Sequence, residues 1–484
     1  MFLTIAIILI LSTILTRIAA RMGIPGLVVF MAIGLLLGSD GLNVIYFDDP
    51  ALAQQIAIGA LIIILFEGGF SSQKKLLQMA WRPAFSLATA GIIITAVTLG
   101  VLTHLFLGLP LEFAFLMGAI VSSTDAAAIF SLFRNKNVQE RTAATLEIES
   151  ASNDPMAIIL TVSLIAFIQG TLDSPFLFVG SLVWQIVGGI AVGYGIGNIA
   201  PRLIKWLKLE TGSFFSVLIV GIIFGTYSLA ELLYANGFVA VFLAGLWIGN
   251  VEFPFKQGID YFLEGLSTFT HVLLFVILGL LIFPLEAVHF WQHGLFIAVL
   301  LMFVARPVAV FLSTMFWRYS IREKVFLSWA GLKGAVPIVL ATYPLVAGLE
   351  NASYIFNTVF FVVLISALIQ GSTIDFLAGK LRLLTGLKKR LSHSMELISF
   401  DKSKVELLEY EVCDEDFHLI GRRIQDVALP KDSLITAIVR QDDVVLPKGS
   451  TVLRDGDTLF ILVRYEDKDE LLNTLSCPDY LDYI

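Results

Sequence analysis

Cysteine is nearly absent. Cys413 and Cys477 are the two in 484 residues, and they offer neither metal-ligand spacing nor a disulfide framework. Charge is scarce too, at 15% of residues, against about 25% in an ordinary soluble domain. No HExxH, CxxC, Walker loop or nucleophile elbow occurs, which argues against metalloprotease or hydrolase chemistry and against ATP-driven pumping by this chain. No basic cluster could grip a phosphate backbone, and the net charge of -8 says little more, so nucleic acid is not an expected partner. The N-terminus is apolar from the start, without a basic leader or a small-residue cleavage site, and is not read as a signal peptide.

What is abundant is apolar side chain. Hydrophobic residues make up 57%, and the mean hydropathy is +0.85. A soluble globule of this size could not hide that much apolar surface. The distribution is uneven. Residues 1–379 are apolar runs broken by short loops, 380–403 form a basic linker, and 404–484 read as a small soluble module.

Runs long enough to approach the roughly 20 residues of a membrane span lie at 2–20, 24–37, 53–70, 83–104, 112–131, 142–168, 176–201, 211–232, 237–250, 262–283, 293–316, 325–345 and 353–377, thirteen in all. The runs at 24–37 and 237–250 are short for a straight span. Charge tests the count, because basic residues collect in cytoplasmic loops. Loops after the odd-numbered spans carry Arg21, Lys74 and Lys75, Arg134, Lys136 and Arg141, Arg202, Lys205 and Lys208, Lys256, and Arg318, Arg322 and Lys324. Loops after the even-numbered spans carry no Lys or Arg. The alternation predicts an outside N-terminus and a cytoplasmic tail, whose basic start "GKLRLLTGLKKR" suits an inner leaflet.

Few ionisable groups fall inside spans: Glu67, Asp125, Glu149, Asp154, Arg306 and Lys333 stand out. Each costs several kcal/mol in the hydrocarbon unless paired, and such groups mark ion paths. In "SSTDAAA", hydroxyls at 122, 123 and 124 precede Asp125. Hydroxyls and freed carbonyls of an unwound helix can replace the water shell of a monovalent cation. In "ESASNDP", Asp154 precedes Pro155, which lacks an amide hydrogen and is expected to weaken the helix beside the acid. Glu149 and Asn153 share one helix face, and so do Ser150 and Asp154. Glu149 is the member best suited to a mainly structural role.

Two carboxylates sharing a buried site resist double ionisation. Such a site holds a proton or a cation, and competition plus alternating access suffices for exchange. "FVARPVAVF" sets Arg306 before Pro307. "WAGLKGAVPIVL" sets Lys333 between Gly331 and Gly334 and predicts a second interrupted helix. Lys333 and Arg306 are candidates for counter-charge, for lining the cytoplasmic funnel or for the ion site itself, and Glu67 is a candidate partner for either. His271, inside a span, is expected to be satisfied locally. His104, His289 and His293 fall near the outer surface.

In the tail, strands are expected near 404–412, 433–440, 443–446 and 457–464, with a short helix near 421–427 and turns at "PKGS" and "RDGD". This is a small α/β module, serving either ligand sensing or dimerisation and stability.

"SSTDAAA", "ESASNDP", "FVARPVAV" and "GLKGAVPI" together resemble the monovalent cation–proton antiporter family, in the branch of bacterial sodium–proton and potassium–proton exchangers. The resemblance covers nearly all of residues 1–379. It implies an all-α polytopic fold with inverted repeats and interrupted helices, no enzymatic activity, and a homodimer in the bacterial inner membrane. It also implies that Asp125 sits at a crossing of unwound chains with Thr124 supplying oxygen beside it, and that Asp154 is the central carboxylate. Asp154, Asp125 and Thr124 would bind the monovalent cation, K+ or Na+. Asn153 would mark one-for-one, electroneutral exchange, with Glu149 and Ser150 in support. Lys333 stands where many members have arginine, so any clamp on Glu149 must be made differently or by Arg306. "DFHLIGRRIQDVALPKDSLITAIVR" and "PKGSTVLRDGDTLFILV" resemble the C-terminal half of the potassium-conductance regulator module. Its nucleotide-binding half is missing, so NAD or ATP is not expected, whereas a cyclic dinucleotide regulator is possible by analogy. The tail favours potassium as substrate; sodium–proton exchange, a gated channel and a non-transporting sensor are the alternatives.

Overall fold

The computed structural model describes residues 2–21, 24–72, 74–125, 136–171, 174–207, 212–387, 395–396, 405–412, 419–427, 429–430, 433–440, 443–464 and 467–475. The far part of the 112–131 run, Arg134, Lys208, both cysteines and most of the expected linker lie outside these residues. Two units form, 1–386 and 387–484.

The first unit is a multi-pass, all-α membrane domain. Among its described residues, eight helices are long and apolar enough to cross a membrane, and five apolar helices are shorter. α1 (Phe2–Arg21), α2 (Gly26–Leu37) and α3 (Pro50–Ser71) come first. Asp49 caps α3 by accepting the Leu52 amide at 3.0 Å, and Pro50 opens the helix where its missing N–H is harmless. α4 (Lys74–Ser86) passes through a π turn at Leu87–Gly91 into α5 (Ile92–Leu107). α6 (Leu111–Ile120) stops inside the apolar run, and 121–125 are non-helical. After the short strand β1 (Lys136–Val138) comes α7 (Glu140–Ile168), unbroken through Pro155. The expected weakening therefore does not open this helix.

α8 (Pro175–Leu207) turns Val183, Trp184, Val187, Ile190 and Tyr194 outward at helical spacing, a lipid-facing stripe. α9 (Gly212–Leu232), α10 (Gly237–Gly249) and α11 (Lys256–Leu280) follow. α12 (Trp291–Leu300) passes through a second π turn, Leu301–Ala305, into α13 (Arg306–Ser313). Pro307 explains this turn: it cannot donate to the Phe303 carbonyl one helical turn back. α14 (Ile321–Trp329) and α15 (Ala335–Val346) flank a non-helical 330–334, the second interruption read from the sequence. α16 (Ala352–Lys380) ends the bundle.

Packing pairs α3 with α10 and α2 with α11, while α13 lies on the first π turn and α5 meets the second. α2 and α11 cross at Gly34 and Gly279. A β-carbon on Gly34 would lie 3.0 Å from the Gly279 Cα, and the reverse contact is 3.1 Å. Only hydrogen fits there.

The expected linker is more than a spacer at its start. β2 (Leu384–Leu387) pairs with β1, and the Gln139 amide donates to the Leu383 carbonyl at 3.0 Å. In the second unit, β3 (Met395–Glu396), β4 (Val405–Glu411), β5 (Leu434–Arg440), β6 (Asp443–Val445) and β7 (Thr458–Arg464) form one sheet in the order β3-β4-β7-β5-β6. Its described pairings are antiparallel. The expected helix at 421–427 is replaced by a single 3-10 turn at Ile424–Asp426. The helix of this unit is instead α17 (Lys468–Leu475), whose Leu471 and Leu475 enter the sheet's core. In "RDGD", Gly456 adopts φ +78, a left-handed conformation suited to glycine. The turn buries Asp457, which accepts Arg440 Nε at 2.7 Å and Nη2 at 2.8 Å.

Gly34→Val should lower the thermal unfolding temperature of the detergent-solubilised protein by several degrees, because overpacking a tight contact costs about 1–3 kcal/mol. An unchanged midpoint would show that α2 and α11 can part freely.

Candidate functional site

A helix interrupted in apolar surroundings leaves backbone donors and acceptors that water cannot reach. The two interruptions, 121–125 and 330–334, meet and satisfy part of each other. The Asp125 amide donates to the Leu332 carbonyl at 2.7 Å. The approach is close enough that a β-carbon on Gly334 would lie 2.6 Å from the Asp125 Cβ. On Gly331 it would lie 2.5 Å from Arg306 Nε. The two glycines of "GLKG" thus make room for an acid and a base that sequence separation hides.

α7 holds the first break through two residues on one face. Ser150 Oγ donates to the Thr124 carbonyl at 2.8 Å. Asn153 Nδ2 donates to Thr124 Oγ1 at 2.5 Å, and Asn153 Oδ1 accepts the Thr124 amide at 3.4 Å. Thr124 was expected to offer oxygen to a cation; here its carbonyl and hydroxyl are engaged in fixing the break to α7. Asn153 needs both halves of its amide for this, an acceptor and a donor, which a carboxylate could not supply.

The second break is held from α16. The Lys333 amide donates to Ser366 Oγ at 3.2 Å, and Gln370 Nε2 donates to the Trp329 carbonyl at 2.9 Å. Ser366 Oγ in turn donates to Gln370 Oε1. Sequence reasoning missed Ser366 and Gln370. Their signal was available: two polar residues four apart, on one face of an otherwise apolar run.

The charges divide into two groups. Arg306 Nη2 lies 2.6 Å from Glu149 Oε1, with both side chains buried. Arg306 thus makes the contact with Glu149 that the substitution of lysine at 333 left open. Lys333 is also buried, at 1% exposure, and its Nζ donates to the carbonyls of Ser122 at 3.2 Å and Ser123 at 2.8 Å. Asp154 has Asp125, Lys333 and Ser123 as its electrostatic neighbours. Its Oδ1 is buried and has no hydrogen-bond partner among the described residues. Of the eight residues singled out from the sequence, Asp125 and Asp154 alone keep partial exposure; Thr124, Glu149, Ser150, Asn153, Arg306 and Lys333 are buried.

Glu67 does not join this group through Arg306 or Lys333. Its carboxylate accepts from Ser71 Oγ at 3.1 Å and Ser267 Oγ at 3.4 Å. His271 is satisfied locally, its Nδ1 2.9 Å from the Ser267 carbonyl. No cluster of three or more His, Cys, Asp or Glu suited to a metal ion occurs among the described residues.

At the start of α7, Arg141 Nη1 donates to the Arg318 carbonyl at 3.0 Å, and its Cζ lies 4.3 Å from the Tyr319 ring centroid. Thr145 Oγ1 gives its proton to the Arg141 carbonyl at 2.7 Å, so Tyr319 is the donor in their 2.7 Å contact. Burial pushes the Tyr319 hydroxyl's pKa up, which keeps that proton in place. The helix bearing Glu149, Ser150, Asn153 and Asp154 is thereby tied to the loop before α14.

The arrangement is a polar centre in which two partly exposed acids, Asp125 and Asp154, sit among buried polar and charged side chains. Acids and bases placed at membrane depth in this way can bind ions and protons. Comparisons with known proteins agree. Residues 6–380 match the family model described as sodium/hydrogen exchanger, transmembrane, and residues 408–476 match the TrkA-C domain. The chain is 37% identical over 480 residues to the K(+)/H(+) antiporter NhaP2 of Shewanella sp. (strain MR-4), covering 98% of this chain and 83% of that protein. It is 27% identical over 403 residues to the Na(+)/H(+) antiporter NhaH of Halobacillus aidingensis, covering 79% and 98%. Among solved structures, the sodium proton antiporter MjNhaP1 from Methanocaldococcus jannaschii superposes with a TM-score of 0.68 at 26% identity, covering 78% of this chain and 99% of that one.

Arg306→Met should leave Glu149 buried without its partner and destabilise the protein by about 3–5 kcal/mol. Adding Glu149→Leu should recover much of the loss. Thermal unfolding of the two variants in detergent checks this; a double variant no more stable than the single one defeats the pairing argument.

Proposed function

The chain belongs to the sodium/hydrogen exchanger family of monovalent cation–proton antiporters and carries a TrkA-C module, and we propose that it exchanges one potassium ion for one proton at Asp154 and Asp125. The observation that carries the proposal is the exposure pattern. Asp125 and Asp154 keep partial exposure as residues, with Asp154 Oδ1 itself buried, while Thr124, Glu149, Ser150, Asn153, Arg306 and Lys333 around them are buried. When the carboxylates are ionised they attract a cation; when one takes a proton the attraction falls. Asp154, with an unpartnered buried oxygen, is the central carrier, and Asn153 keeps the neighbouring position neutral, consistent with one charge moved each way.

Potassium is favoured by the comparison that runs the length of the chain. The relative named as a K(+)/H(+) antiporter aligns over 98% of this chain, whereas those named for sodium align over 79% and 78%.

The membrane topology we propose has thirteen spans, with the N-terminus outside and the tail in the cytoplasm of a bacterial inner membrane. Two inverted repeats build it. α2, α3, α4–α5 and the break after α6 correspond to α10, α11, α12–α13 and the break after α14. Each half carries one short helix, one π turn and one interruption in the same order. Alternating access is then a movement of one group of helices against the other about the crossing. The domain boundaries of 1–379, 380–403 and 404–484, a homodimeric assembly and regulation by the tail complete the proposal, with a cyclic dinucleotide as the first tail ligand to test.

Asp154→Asn should abolish proton-coupled potassium flux in proteoliposomes while leaving the protein folded and extractable; normal flux would remove Asp154 from the mechanism. Truncation after Leu387, which retains the β1–β2 pairing, should leave exchange intact and alter its activation. Loss of the folded membrane domain would instead make the tail a structural element.

A further inference from the structure

We infer that Lys333 is a resident cation of the exchange site, holding backbone carbonyls that a transported ion takes over, and that their spacing selects potassium over sodium. The inference rests on the exchange reading above and deepens it. The Lys333 ammonium makes two contacts of the kind an alkali cation makes, to the carbonyl oxygens of Ser122 and Ser123 at 3.2 and 2.8 Å. Those oxygens belong to the non-helical stretch 121–125, and among the described residues no backbone amide donates to them. Asp154 is an electrostatic neighbour of the ammonium and of the side chain of Ser123, whose carbonyl the ammonium holds. An incoming cation held by Asp154 thus competes for oxygens that Lys333 already holds.

Size then matters. Ammonium and potassium are nearly equal in ionic size, and sodium is clearly smaller. Carbonyls set apart by an ammonium suit potassium without moving, while sodium would have to draw them inward. The break cannot contract easily, because Ser150 and Asn153 pin Thr124 next to it. Ser366 pins the Lys333 amide on the opposite side. The lysine's flexible stem lets the ammonium withdraw, a movement the planar fork of arginine makes less readily.

The test is proton-coupled flux by the full chain in proteoliposomes at alkaline pH, where protons compete least, for potassium and sodium separately. With the resident ammonium gone, Lys333→Gln should lower the KM for potassium about tenfold, as expected when an occupied site becomes free. The KM for sodium should fall about twofold or less. An equal fall for both ions would mean that Lys333 acts through its charge alone, and unchanged values would mean that it is structural; either overturns the inference. If the variant does not reconstitute, the wild type still decides. Rubidium should then behave like potassium with sodium the weaker substrate, and a preference for sodium defeats the idea. Absence of coupled flux with every cation in the wild type would instead sink the exchange reading itself.

Discussion

Backbone polar groups freed by two helix interruptions must find partners where there is no water. Most of the site follows from this constraint. The Thr124 amide and carbonyl go to Asn153 and Ser150, the Asp125 amide goes to Leu332, and the Ser122 and Ser123 carbonyls go to Lys333. Across the crossing, the Lys333 amide and the Trp329 carbonyl go to Ser366 and Gln370. The partners come from α7, from α16 and from the facing break, so the breaks cannot exist without the bundle around them. Irregular backbone is tolerated at membrane depth only where protein or an aqueous cavity supplies such partners. The same network places Asp125 and Asp154 beside the crossing.

Buried charge obeys the same economy. A lone ion in the hydrocarbon neutralises or finds a counter-ion. Glu149 and Arg306 answer this by pairing, and Gly331 gives the guanidinium the space it needs. That pair holds α7 to α13. Lys333 answers differently, by taking carbonyl oxygens instead of a carboxylate. A positive charge is thus kept near Asp154. The two groups differ in partner rather than in residue type, since each contains an acid and a base.

The tail is built on another principle. Its core is an antiparallel sheet with alternating burial along β7, and the buried acid Asp457 is held by Arg440. None of this depends on a membrane. The strand that leads towards it, β2, is paired with β1 immediately before α7 begins. The chain leaving the bundle is therefore anchored beside the helix that carries Asp154.

The sequence alone determined the membrane class, the two odd motifs and the second interruption. It could do so because low charge, runs of apolar residues and glycines beside an ionisable group are local properties. It also marked Asp125 and Asp154 as costly and therefore meaningful. The tertiary structure decided who meets whom. Arg306 rather than Lys333 faces Glu149, Glu67 is held by serines, Thr124 is clamped, and Pro155 passes without opening its helix. Ser366 and Gln370 emerged only there. The physical reason is that a backbone donor or acceptor takes whichever partner the packing brings within about 3 Å. That choice depends on residues 26 to 211 positions away, which periodicity and composition do not record.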